Sequence, residues 1–138
     1  MAHTCKSLVF RCMDFRIKPT VFTSLLAQAG VNEGDYDTVS LAGGAKDLLG
    51  AEGESSMIIK QIELSSKLHC ISQVVILQHD GCGAYGIADQ AQEDATQRQD
   101  LLKIAEAIKG RFPDLQMVAF IIKGVPEDNL RLEAVPLS

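Results

Sequence analysis

A chain of 138 residues, 46% hydrophobic and 22% charged, is sized for a single domain, residues 1–138, whose core needs no disulfide staples. A formal net charge of −5 and a pI near 5.1 exclude the basic face that nucleic acid or an anionic membrane surface would require. No apolar run approaches the ~20 residues of a membrane span and the N-terminal stretch does not read as a signal peptide, so the expected address is cytoplasmic, where Cys5, Cys12, Cys70 and Cys82 are free thiols or metal ligands rather than disulfides.

The first predicted element is SLVFRC (7–12), a short apolar, β-prone run. A helix follows over 17–29, where Ile17, Val21, Phe22, Leu25, Leu26 and Ala29 recur at helical spacing; Pro19 is tolerated in its first turn and Gly30 stops it. DTVSLAG (37–43) reads as a second strand ending in glycines. A second helix runs from about Glu54 to His69, with Ile58 and Ile62, and Met57 with Leu64 and Leu68, as its inner face. SQVVILQ (72–78) is rich in β-branched residues and does not alternate, as in a strand covered on both faces. The acidic, Gln-rich segment 89–100 reads as a solvated surface leading into a helix over 96–109, which places Leu101, Ile104, Ala105 and Ile108 on one face. LQMVAFIIKG (115–124) is a fourth strand, and NLRLEAV (129–135) a fifth, turned back by VPEDN. The order β-α-β-α-β-α-β-β predicts an α/β fold: a central, mostly parallel sheet of 4–5 strands flanked by helices.

In such sheets chemistry gathers beyond the carboxyl ends of the strands. CMDFR follows the first strand and HDGC the third, so Cys12, His79 and Cys82 can meet although they are distant in sequence. Two thiolates and an imidazole suit Zn²⁺, and three protein ligands leave one position open, which is the pattern of a catalytic rather than a structural site. Gly81 and Gly83 let the backbone turn tightly around an ion, and Gly43, Gly44 and Gly83 leave room for a small substrate, although Gly43 and Gly44 could equally just end a strand. His79 calls for an acceptor on its second ring nitrogen. Alternation along an extended segment puts Cys12, Asp14 and Arg16 on one side, where Arg16 keeps Asp14 ionised and Asp14 accepts a hydrogen bond from the metal's water. Zinc lowers the pKa of such water to roughly 7, giving hydroxide that attacks a small electrophile.

At these residues the sequence resembles the β-class carbonic anhydrases, which carry C-x-D-x-R after the first strand and H-x-x-C after a later one. The matches are Cys12-Asp14-Arg16 and His79-Cys82, and LAGG (41–44) lies where the family has a glycine-containing segment. The resemblance implies one Zn²⁺ per chain held by Cys12, His79 and Cys82, and reversible hydration of CO₂ to bicarbonate. It implies a catalytic dyad of Asp14 and Arg16 beside the metal; in some members the Asp swings onto the zinc and the Arg releases it. It also implies a homodimer or higher homo-oligomer with sites near the subunit interface. The chain reads as a compact, divergent branch: N-terminal helices that wrap a partner are expected to be missing, and the family's R-N-A-G segment is represented by Ser40-Leu41-Ala42-Gly43.

Other readings stand beside this one. The same site could serve a carbonyl sulfide or carbon disulfide hydrolase, or a non-catalytic zinc-binding oligomeric module; the Asp14–Arg16 pair argues against the latter, because a structural ion needs no water-activating carboxylate. A cysteine nucleophile in HDGC lacks the donors that cradle an oxyanion. Cys5 and Cys70 read as packing residues, His69 as a helix-end residue favoured by the dipole, and Tyr85 as either a pocket border or a packing residue.

Overall fold

A computed structural model describes residues 3–125 and 129–137. Its elements are β1 (Ser7–Cys12), α1 (Pro19–Gln28), β2 (Tyr36–Leu41), α2 (Glu52–His69), β3 (Gln73–His79), α3 (Gln90–Arg111), β4 (Gln116–Lys123) and β5 (Arg131–Ala134), with a short 3₁₀ turn over Lys46–Leu49. They form one sheet in the order β2-β1-β3-β4-β5, parallel except for β5, which runs antiparallel to β4. The fold is thus the α/β arrangement read from the sequence. The reversal expected at VPEDN lies outside the described residues except for Val125 and Asn129. Among the described residues no helix is long and apolar enough to cross a membrane.

Sequence decides these elements locally. Pro19 supplies a preset φ at the start of α1, and it holds Lys18 in extended backbone as the cap. All seven residues of β3 are buried, which is why its sequence is a continuous apolar run rather than an alternating one. Asp89 caps α3 by accepting a hydrogen bond from the Gln92 N–H at 2.8 Å.

Two helical assignments are corrected. Ile58, Ile59 and Ile62 form the buried face of α2, but Met57, Leu64 and Leu68 are exposed. At about 100° per residue, the stripe through 57, 64 and 68 lies beside the one through 58, 62 and 65, and only the latter meets the sheet. The segment 89–100 is not a solvated lead-in: α3 begins at Gln90, and Glu93 and Gln97 are buried. They continue the Leu101–Ile104–Ile108 stripe at helical spacing, so the sheet-facing side of α3 ends in two polar residues.

Topology places the site. The chain steps one way from β1 to β2, then back past β1 to β3 and on to β4. If all crossovers share one hand, α1 must cover one face and α2 and α3 the other. The core divides accordingly. Phe22, Leu25 and Leu26 of α1 pack with Val9, Val75 and Leu77. On the other face Ile58, Ile62, Leu101 and Ile104 pack with Phe10, Val74 and Ile76. The reversal of direction leaves a crevice at the carboxyl ends of β1 and β3. These strands pair only as far as Phe10 and Ile76, while β1 continues alongside β2 to Cys12 and β3 alongside β4 to His79. The loop after β2 inserts at this parting. A Cβ at Gly44 would stand 2.7 Å from the Leu77 carbonyl oxygen, and Gly44 has φ +64, so only glycine fits there. The Gln78 side-chain amide fixes the same loop by donating to the Gly43 carbonyl at 3.0 Å.

Candidate metal centre

Cys12 ends β1, His79 ends β3, and Cys82 follows in the next turn. The crevice brings all three together: two sulfurs and one ring nitrogen lie within 4.8 Å of one another, and the residues are only 7%, 1% and 2% exposed. The acceptor His79 required is the backbone carbonyl of Asp80, to which Nδ1–H donates at 2.8 Å. That bond sets the tautomer and leaves the Nε2 lone pair free to ligate. Nε2 is buried and has no hydrogen-bond partner among the described residues. An orphaned ring nitrogen facing two thiols is costly in an apolar setting and fits a cation of zinc type, which binds S and N donors at about 2.0–2.3 Å. The neighbouring Cys82 and His79 side chains, helped by the Gly43 N–H at 3.4 Å, pull the Cys12 thiol well below the usual thiol range. The nearby Cys12 sulfur, together with burial, pushes the Cys82 thiol up. A cation taking both sulfurs binds them as thiolates and displaces whatever protons they carry.

The loop that carries Cys82 is held from four directions. Glu93 accepts hydrogen bonds from the N–H groups of Gly81 and Cys82 at 2.7 and 2.9 Å. Gln97 donates to the His79 carbonyl at 2.7 Å. The Asp80 carboxylate accepts from the N–H groups of Gly124 and Val125, each at 3.0 Å, and so ties the loop to the end of β4. Arg16 donates to the Gly81 carbonyl at 2.7 Å. Gly81 has φ +66, which supplies the tight turn. Sequence reading missed Glu93, Gln97 and Asp80 as site-forming residues; the signal for the first two was their phase with Leu101 and Ile104. Glu93→Gln is expected to lower unfolding stability by about 1–3 kcal/mol, because its amide would meet one of the two backbone N–H groups donor to donor. A lower urea midpoint with an unchanged m-value checks this.

Asp14 and Arg16 do come together, but not by strand alternation. β1 ends at Cys12, and a turn closed by Ile17 N–H to the Asp14 carbonyl at 3.2 Å replaces the extended segment. Within it the Asp14 carboxylate accepts from the Arg16 backbone N–H at 2.9 Å and from its guanidinium at 2.5–3.1 Å. These bonds hold the Asp14 carboxyl at about 2. Asp14 Oδ2 lies 3.6 Å from His79 Nε2, beside the three donors. A cavity of about 670 Å³ reaches Cys12, Asp14 and Arg16; the rest of its wall is Met13, Phe15, Ala42, Gly83 and Ala84. Gly83, expected at a substrate space, is on that wall. Gly43 and Gly44, expected there too, instead back Cys12 and fill the parting of β1 and β3. Tyr85 donates to Asp100 at 2.9 Å and is not on the cavity wall, which makes it a packing residue. A larger cavity of about 780 Å³ lies at the other end of the sheet, against Ala105, Met117 and Leu137; it presents no Cys, His or Asp, so size alone does not mark the site.

Comparison with known proteins bears on the family and the fold. Residues 2–129 match the model of a family described as "Putative carbonic anhydrase". The chain is 32% identical over 129 residues to an uncharacterized protein of Rickettsia conorii, covering 87% of this chain and 68% of that one. It is 30% identical to an uncharacterized protein of Rickettsia bellii, at 87% and 77% coverage. Among solved structures its fold is similar to β-carbonic anhydrase isoform I of Trichomonas vaginalis, with a TM-score of 0.64, 14% identity, and coverage of 97% and 84%. It is also similar to tetrameric β-carbonic anhydrases of Sordaria macrospora, with a TM-score of 0.59, 13% identity, and coverage of 97% and 82%.

Proposed function

The chain belongs to the carbonic anhydrase family whose model it matches, and from that premise we propose that it interconverts CO₂ and bicarbonate using one Zn²⁺ per chain, held by Cys12, His79 and Cys82. The observation that carries this reading is the buried Nε2 of His79, without a hydrogen-bond partner among the described residues and grouped with two sulfurs, beside a carboxylate already engaged by arginine. When bound there, the ion supplies Lewis acidity that makes water nucleophilic near neutral pH. The remaining work belongs to this chain. Asp14, ionised far below neutrality, accepts a hydrogen bond from the reacting water at a carboxylate oxygen and orients it. Arg16 fixes Asp14 and, through the Gly81 carbonyl, fixes the loop that carries Cys82. Met13, Phe15, Ala42 and Ala84 give the cavity apolar walls, suited to a small uncharged gas.

The same reading includes a homo-oligomer. Phe15 and Met13, at 88% and 64% exposure, border the cavity and present apolar surface that a second copy would cover. Stopped-flow CO₂ hydration across pH 6–9 on protein of measured zinc content tests the proposal, with light scattering on the same sample. The expected result is zinc-dependent acceleration by a dimer or larger assembly. Zinc-replete protein inert toward CO₂ overturns the reading; if that protein instead hydrolyses carbonyl sulfide, the substrate is reassigned at the same site.

A further inference from the structure

The structure assigns a second cation site at the end of the sheet opposite the first: we propose that Cys5, Asp37 and His69 bind a further Zn²⁺. Cys5 precedes β1, Asp37 is the second residue of β2 and His69 ends α2. A sulfur, a carboxylate oxygen and a ring nitrogen from these residues lie within 4.8 Å of one another. Sequence reading gave Cys5 to packing, and it does pack against the core; it gave His69 to the helix dipole, which does not account for the bond between its ring and Asp37.

The convergence is built by backbone, not by loose surface side chains. The Cys5 N–H donates to the His69 carbonyl at 3.1 Å, tying the start of the chain to the end of α2. Asp37 stands opposite Leu8 in the β1–β2 register. Its carboxylate is oriented by buried Ser65, whose hydroxyl donates to Oδ2 at 2.7 Å. His69 Nδ1 bonds the same oxygen at 2.7 Å. A hydroxyl that aims a carboxylate is the outer support metal-binding carboxylates usually have.

The donor set selects the ion. Sulfur, imidazole and carboxylate together suit zinc, whereas magnesium and calcium prefer oxygen alone. Asp37 and His69 side chains are 32% and 34% exposed, so an ion can enter from solvent and complete its shell with water. Bound there, it would cross-link the approach to β1, the start of β2 and the end of α2. The site shares no residue with Cys12, His79 and Cys82 and is independent of the activity proposed above.

Equilibrium dialysis of the purified full chain at fixed micromolar free zinc, followed by elemental analysis, tests this. Wild type is expected to hold two zinc ions per chain, and Cys5→Ala and His69→Ala one each, with unchanged circular dichroism. Cys82→Ser should also hold one, and Cys5→Ala combined with Cys82→Ser none. Wild type holding only the ion that Cys82→Ser removes overturns the proposal, as do Cys5→Ala and His69→Ala holding as much zinc as wild type. If Cys82→Ser leaves the count unchanged while Cys5→Ala lowers it, the second site stands and the first assignment fails.

Discussion

Cys82→Ser is expected to empty the site between Cys12, His79 and Cys82 and to reduce CO₂ hydration by more than about 100-fold. The substitution changes one atom, but serine's hydroxyl does not ionise near neutrality and is a poor zinc ligand. The scale follows because disturbing even the groups behind a ligand costs about 10- to 100-fold in metal affinity or activity. The fold should survive, because Glu93 grips the backbone N–H of residue 82 and does not depend on its side chain. Elemental analysis and stopped-flow rates on one preparation, with circular dichroism as control, check this. A Cys82→Ser protein that keeps its metal here and its rate would remove Cys82 from the ligand set.

Asp14→Asn is expected to separate metal binding from turnover. Zinc content should stay at the wild-type level, since all three donors remain, while the rate falls by about 100-fold, at the lower end of what a positioned acid or base contributes. Asparagine keeps the shape and one acceptor for Arg16 but loses the charge, and its amide offers a donor where the reacting water needs an acceptor. The pH dependence sharpens the test. Asp14 sits at about 2, depressed by Arg16. Its ionised form, and the stability it adds, is present above the usual carboxylate range and is lost only as pH falls through about 2. Asp14 therefore does not titrate between pH 6 and 9. The variant should show a lower plateau, with any shift of midpoint toward lower pH because a negative charge beside the reacting water is gone; an unchanged plateau would deny Asp14 its role.

The grouping of Cys12, His79 and Cys82 was legible because strand ends are legible. An apolar run that stops at His79 marks where β3 leaves the sheet, and parallel topology then brings that end to Cys12. What supports the group was not legible. Glu93 lies in an acidic, glutamine-rich stretch whose composition reads as solvated; its phase with Leu101 and Ile104 marks it as inward-facing but does not announce the two backbone N–H groups it meets. The pairing of Asp37 with His69 joins residues from a strand and a helix, and periodicity within either one does not show it. Met57, Leu64 and Leu68 misled for the converse reason: helical spacing shows which residues share a stripe, not which stripe meets the sheet. The Asp14–Arg16 contact was anticipated on the wrong geometry, since local turn bonds achieve what strand alternation seemed to require.

The two glycine positions flanking the site also differ in what they leave open to redesign. Position 44 is closed, since every other residue would drive a carbon into the Leu77 carbonyl. Position 83 has nothing within 4 Å of the place a Cβ would take, and it sits on the cavity wall. Side chains of graded size at that one residue would therefore narrow the cavity step by step without a backbone clash.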